Sequence, residues 1–130
     1  QALKTLIAVN VGAFLLSLIV PALTVRLGLM PAAVLREFAL WQPLTYMFLH
    51  GGIGHLVFNM LALWMFGTDL ERTWGTRFFV RYYFVTGIGA ALVTIAWSLT
   101  GLPYAAALYN TVVVGASGAI YGLLLAYGMY

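Results

Sequence analysis

The chain has 130 residues, of which 64% are hydrophobic and only 7% charged, with a formal net charge of +3 and no cysteine. A mean hydropathy of +1.01 is more than a water-soluble domain can hide, because the outward faces of such a domain must be polar. The missing cysteines exclude disulfides, thiolate nucleophiles and cysteine metal sites, and the six dispersed Lys/Arg residues form no nucleic-acid patch.

The charges leave three long gaps. Residues 5–25 and 82–130 carry none, and residues 38–68 carry only His50 and His55. Each gap reaches or exceeds the roughly 20 residues that a helix needs to cross a bilayer core of about 30 Å. The sequence therefore predicts an all-α, polytopic transmembrane bundle of one domain. The first span is predicted over residues 3–25, with Pro21 kinking or shortening its far end. A long connection, residues 26–54, follows. It contains "FALWQPLTYMFLHGG", which is too apolar for a solvated loop and is expected to fold back into the membrane or lie in its interface, with Trp41 and Tyr46 as interfacial aromatics. The second span is predicted over 55–69 and is followed by a polar turn, "LERTWGTR". The third covers 78–99, "TGLPYAAALYN" breaks the chain at Gly101 and Pro103, and the fourth covers 113–130.

Basic residues predict the orientation. Lys4, Arg72, Arg77 and Arg81 fall on one side and Arg26 and Arg36 on the other, which places the amino terminus in the cytoplasm. Ser117 then begins a helix that descends from the extracytoplasmic face.

Polar side chains inside membrane spans are costly, so each is a candidate for function. His55 and Asn59 are four apart and share one face of the second span, and Ser117 and Tyr121 do the same on the fourth. Gly118, Gly122 and Ala126 form a small-residue stripe about 100° away, suited to close approach of another helix. Ser117 is either a packing hydroxyl bonded to its own helix or a nucleophile. Its position near a helix N-terminus, with His55 and Asn59 as donors at similar depth, supplies parts of an acyl-transfer site. His50 and His55 lie about 140° apart on an ideal helix, and with few acids nearby they make no metal site.

Taken in order, "WQPLTYMFLH", "HGGIGHLVFNM", "GTDLERTWG" and "GASGAIYG" closely resemble the rhomboid family of intramembrane serine proteases, over residues from about 38 to 125. The resemblance implies a fold of six spans, four of them present here. It implies Ser117, within Gly115–Gly118, as the nucleophile. His55, Asn59 and the Ser117 backbone N–H would hold the oxyanion, and Tyr121 would be the residue against which the catalytic histidine stacks. His50 would be a structural loop histidine, and Trp41 the loop's interfacial aromatic. Glu71 would be the acid of a polar cluster at the cytoplasmic helix ends; its usual Arg partner lies two residues on, where this chain has Thr73, and adjacent Arg72 is the stand-in. Gln42 stands where many relatives carry Arg.

The resemblance also implies a histidine base on the sixth helix, after the nucleophile, whereas His50 and His55 both precede Ser117. Residues 1–130 are therefore expected to be the amino-terminal part of a longer protease. It would need no metal or organic cofactor. Its partners would be transmembrane protein substrates, the bilayer and the remaining rhomboid helices, and no nucleic acid. Its expected location is a bacterial inner membrane. The alternative function is a rhomboid-like pseudoprotease that binds membrane proteins without cleaving them, and an intact "GASG" argues against it. A transporter or channel with Ser117, His55 and Asn59 lining a pathway lacks the expected repeat and buried acids.

Overall fold

The computed structural model describes residues 1–129; Tyr130, the last residue of the predicted fourth span, lies outside the described residues. Helices follow in the order α1 (Ala2–Ile19), α2 (Ala22–Leu27), α3 (Pro31–Arg36), α4 (Gln42–Thr45) with a 3-10 turn at Tyr46–Phe48, α5 (Ile53–Trp74), α6 (Thr76–Ser98), α7 (Pro103–Leu108) and α8 (Ser117–Gly128). Among the described residues there is no strand beyond a single antiparallel bridge, Leu29 to Val113. Helices α1, α5 and α6 are each long and apolar enough to cross a membrane. The described part of α8, at 12 residues, is shorter than a full crossing.

Several element boundaries differ from the predicted ones for local reasons. The first span divides in two: α1 stops at Ile19, and Pro21 caps α2, where its missing N–H costs nothing. The second span continues well past Asp69 to Trp74, so most of the predicted polar turn is helical. A helix leaving the membrane tolerates Glu71 and Arg72, and it ends only at Gly75, whose φ of +85° favours glycine. The fourth helix starts at Ser117 rather than Val113, because residues 112–114 are extended against the first loop.

The core lies where α6 meets α8 and α5 meets α1. Phe79, Tyr83, Leu63, Leu123 and Ala91 are fully buried there. The most extensive packing is between α6 and α8, along the predicted small-residue stripe. A β-carbon on Gly118 would stand 2.6 Å from the Ala90 Cβ, and one on Gly122 would stand 2.8 Å from the Thr86 Cβ, so glycine at both positions lets the two backbones approach. The Tyr82 hydroxyl adds a cross-helix bond, donating to the Gly122 carbonyl at 2.7 Å.

At the opposite end from Ser117, the Glu71 carboxylate accepts the Ala2 and Leu3 N–H groups at 3.0 and 3.2 Å and the Thr76 hydroxyl at 2.9 Å. It caps α1 while tying it to the α5–α6 turn, a charge-assisted arrangement at a helix N-terminus. The third donor is Thr76 rather than Arg72.

The first loop folds over the bundle as a set of short helices. Gln42, which is buried, accepts the Met30 N–H with Oε1 at 3.0 Å and donates Nε2 to the Arg26 carbonyl at 3.2 Å. The Trp41 indole N–H reaches the same carbonyl at 2.8 Å, and the Thr45 hydroxyl donates to Leu27 O at 2.6 Å. A neutral amide thus bridges two turns of the loop through backbone groups. Trp41 is half exposed, but Tyr46 is not the interfacial aromatic that its surroundings predict, being only 4% exposed.

Candidate active site

Ser117 is the first residue of α8. The backbone before it is held by three neighbours: Tyr109 O accepts the Ala32 N–H at 2.9 Å, Leu29 and Val113 exchange bonds at 2.8 and 2.7 Å, and the Gly115 N–H donates to Tyr46 O at 3.0 Å. Gly115 turns the chain with φ +123°, a conformation that L side chains rarely adopt. Ala116 caps α8 without a side-chain hydrogen bond, so the first amides of the helix have no capping side chain.

The Ser117 hydroxyl makes no hydrogen bond among the described residues. This sets it apart from the hydroxyls inside the long helices α1 and α6. Those of Ser17, Thr86, Thr94 and Ser98 each bond to a carbonyl three or four residues back. Ser117 has no preceding helical turn to bond to, so the packing alternative loses its usual partner.

His55 and Asn59 lie on consecutive turns of α5, facing the start of α8. The space that a β-carbon would take on Gly115 lies 2.8 Å from His55 Cε1, 2.9 Å from its Nε2 and 3.7 Å from Asn59 Nδ2. His55 is exposed; its Nδ1 lies 3.5 Å from the Gly51 N, and its Nε2 lies beside Gly115. Asn59 is 6% exposed, and its Nδ2 is a buried donor with no partner. Buried donors are seldom left unpaired in native structures, and the exceptions call for an explanation.

One cavity of about 270 Å³ between α5 and α8 joins these groups; it is lined by His55, Asn59, Ser117 and Tyr121, with Phe58 and Leu124 among its apolar walls. Tyr121 is 72% exposed on the open side of α8. Gly118, next to Ser117, is turned toward α6 and serves packing. His50 is not in this cavity. It is 4% exposed and packs edge-on against His55, with ring centroids 5.0 Å apart. Its ring nitrogens make no good hydrogen bond, although the Phe48 backbone lies near. Burial and the neighbouring His55 push its pKa down from 6.5 to about 4, so it is neutral at pH 7. The predicted site residues therefore separate into a cavity set (His55, Asn59, Ser117, Tyr121) and a supporting set (His50, Gly115, Gly118). Sequence reasoning missed Tyr46 and Gln42 as structural supports, because both act on backbone groups that leave no mark in the sequence.

The Rhomboid domain family model matches residues 37–130. The chain belongs to the rhomboid family. It is 38% identical over 100 residues to the rhomboid protease GluP of Bacillus subtilis (strain 168), a match covering 77% of this chain and 18% of the relative. It is 39% identical over 95 residues to the rhomboid protease AarA of Providencia stuartii, covering 69% of this chain and 34% of that protein. RHOMBOID-like protein 5 of Arabidopsis thaliana is 34% identical over 99 residues, covering 76% and 29% of the two chains. The chain thus spans about a third or less of the length of these curated relatives. The rhomboid match, the all-helical bundle and the three apolar crossings together make this a multi-pass integral membrane protein.

Proposed function

We propose that this rhomboid chain carries the nucleophile and the oxyanion donors of an intramembrane serine protease that cleaves peptide bonds in or beside transmembrane segments. The observation that carries this reading is the pairing of an unbonded Ser117 hydroxyl with an unpartnered, buried Asn59 Nδ2 on the same cavity. A hydroxyl with no internal bond is free to attack a carbonyl carbon. A buried donor with no acceptor is pre-oriented for the oxyanion that the attack creates.

In this reading, Ser117 Oγ bonds to the scissile carbonyl carbon while a base takes the hydroxyl proton. The new oxyanion accepts from Asn59 Nδ2, His55 Nε2–H and the Ser117 backbone N–H. The C–N bond then breaks, the amine leaves with the proton, and water hydrolyses the Ser117 ester by the reverse sequence of proton transfers. His50 is buried away from the cavity, and His55 serves as an oxyanion donor; the base, as the resemblance to rhomboid proteases implies, is a histidine outside these residues, stacked on Tyr121. Lys4, Arg72, Arg77 and Arg81 belong to the end of the bundle tied by Glu71, which supports a cytoplasmic amino terminus. Ser117 then opens toward the extracytoplasmic side of a bacterial inner membrane.

The test is covalent labelling by a fluorophosphonate in lipid, with the full polypeptide that includes the segment proposed to carry the base. Labelling at Ser117, lost in Ser117→Ala, is the expected result. A full polypeptide that binds membrane proteins but neither labels nor cleaves would favour the pseudoprotease instead.

A further inference from the structure

Tyr46 bonds the backbone before Ser117 and approaches the residue after it. Its carbonyl accepts the Gly115 N–H at 3.0 Å, two residues before the serine. Its hydroxyl donates to the Gly87 carbonyl of α6 at 2.5 Å and lies 3.3 Å from the place a β-carbon on Gly118 would take, one residue after the serine. The Leu29–Val113 and Ala32–Tyr109 bonds hold the loop further upstream, four or more residues from the serine. Tyr46 is itself buried, so water is not at hand to replace a bond that it loses.

We propose that Tyr46 is a positioning residue: its hydroxyl, anchored on α6, fixes the carbonyl that holds Gly115 and so aims the Ser117 hydroxyl into the cavity shared with Asn59. The catalytic half of this inference rests on Ser117 being the nucleophile. The anchor is a short path with two ends. At one end, α6 supplies a rigid carbonyl in mid-helix. At the other, the 3-10 turn at Tyr46–Phe48 turns a shift of the phenol ring into a shift of the Tyr46 carbonyl. Without the hydroxyl, space opens beside Gly118, and of its two close neighbours only Ala90 still confines the first turn of α8 there. Displacements of about 1 Å at a reacting group cost on the order of 100-fold in rate, so a modest loosening is enough to register.

Tyr46→Phe keeps the ring and the carbonyl and removes only the anchor. Tyr83→Phe is the control. It removes another fully buried hydroxyl from the α6 region, one that lies beside Asn10 of α1 and near Tyr46 but has no bond to the Gly115 or Gly118 backbone. In the full polypeptide, Tyr46→Phe should lower kcat and the rate of fluorophosphonate labelling by about 10-fold or more with KM unchanged, whereas Tyr83→Phe labels at the parent rate. Hydrogen exchange gives a readout that needs no catalysis. The Gly115 amide should exchange about 10-fold faster in Tyr46→Phe and at the parent rate in Tyr83→Phe. Unchanged Gly115 exchange in Tyr46→Phe overturns the anchor. Equal effects of the two substitutions overturn it too, since they would report only general loosening. Faster Gly115 exchange in a parent protein whose Ser117 never labels would uphold the anchor and sink the nucleophile reading instead.

Discussion

The His55 imidazole sits against the α-carbon of Gly115: a β-carbon there would come within 2.8 Å of Cε1 and 2.9 Å of Nε2. The contact joins the second crossing to the serine turn with no side chain between them. Gly115→Ala meets two obstacles at once. Its φ of +123° costs an L-residue about 1–3 kcal/mol, and the new methyl displaces the ring. The expected result is a loss of Ser117 labelling of about 100-fold or more with helical content unchanged by circular dichroism. Parent-like labelling would mean that the position of His55 does not matter to the reaction.

Asn59 offers a different signature. Its Nδ2 is already buried without an acceptor, so the folded protein gains nothing from that N–H and bears its desolvation. Asn59→Ala should therefore leave thermal stability equal or slightly higher, while turnover falls about 100–1000-fold, as the loss of one oxyanion donor does elsewhere. A marked drop in stability together with activity would recast Asn59 as a structural residue.

These two residues also show what the sequence makes legible. His55, Asn59 and Ser117 stand out because each is polar in an apolar run, and their spacing on ideal helices already puts each on a definite face. Gly118 and Gly122 are legible for a similar reason, since a stripe of small residues predicts a close neighbour even without naming α6. Gln42 and Tyr46 are not, because their partners are the carbonyls and amides of Arg26, Met30, Gly87 and Gly115, and every residue has those. The end of α5 is hard to read for another reason. Glu71 and Arg72 look like a turn by polarity, but polarity marks the membrane surface, not the helix end, and the helix continues to Trp74.

Glu71 gives a stability prediction that is independent of catalysis. Three donors converge on its carboxylate, two of them the leading amides of α1. Glu71→Ala strands those amides and frees α1 from the α5–α6 turn, at a cost of about 2 kcal/mol, in the range for hydrogen bonds to a charged group. Denaturation of the purified protein in detergent would measure it. Labelling per folded molecule should stay near the parent value, because Glu71 lies at the far end of α5 from His55. A loss of labelling without loss of stability would contradict a purely structural part for this carboxylate.

His50 makes the stability of the fold sensitive to acid. Burial, and to a lesser degree the neighbouring His55, lower its pKa from 6.5 to about 4 in the folded chain. Above pH 6.5 the ring is neutral in both folded and unfolded states, and the full stability is present. Between pH 6.5 and 4 the unfolded chain takes up a proton that the folded chain refuses, so stability falls with every step of acidification. Below pH 4 both states are protonated and the loss levels off. His50→Gln keeps a polar side chain of similar reach and removes the titration. The parent should lose melting temperature between pH 7.5 and 4.5 by more than His50→Gln does, the gap opening below pH 6.5. Other groups titrating in this range are shared by the two proteins and largely cancel in the difference. Parallel profiles for the two would show that His50 is protonated as readily in the fold as out of it, and that its burial against His55 is looser than the packing describes.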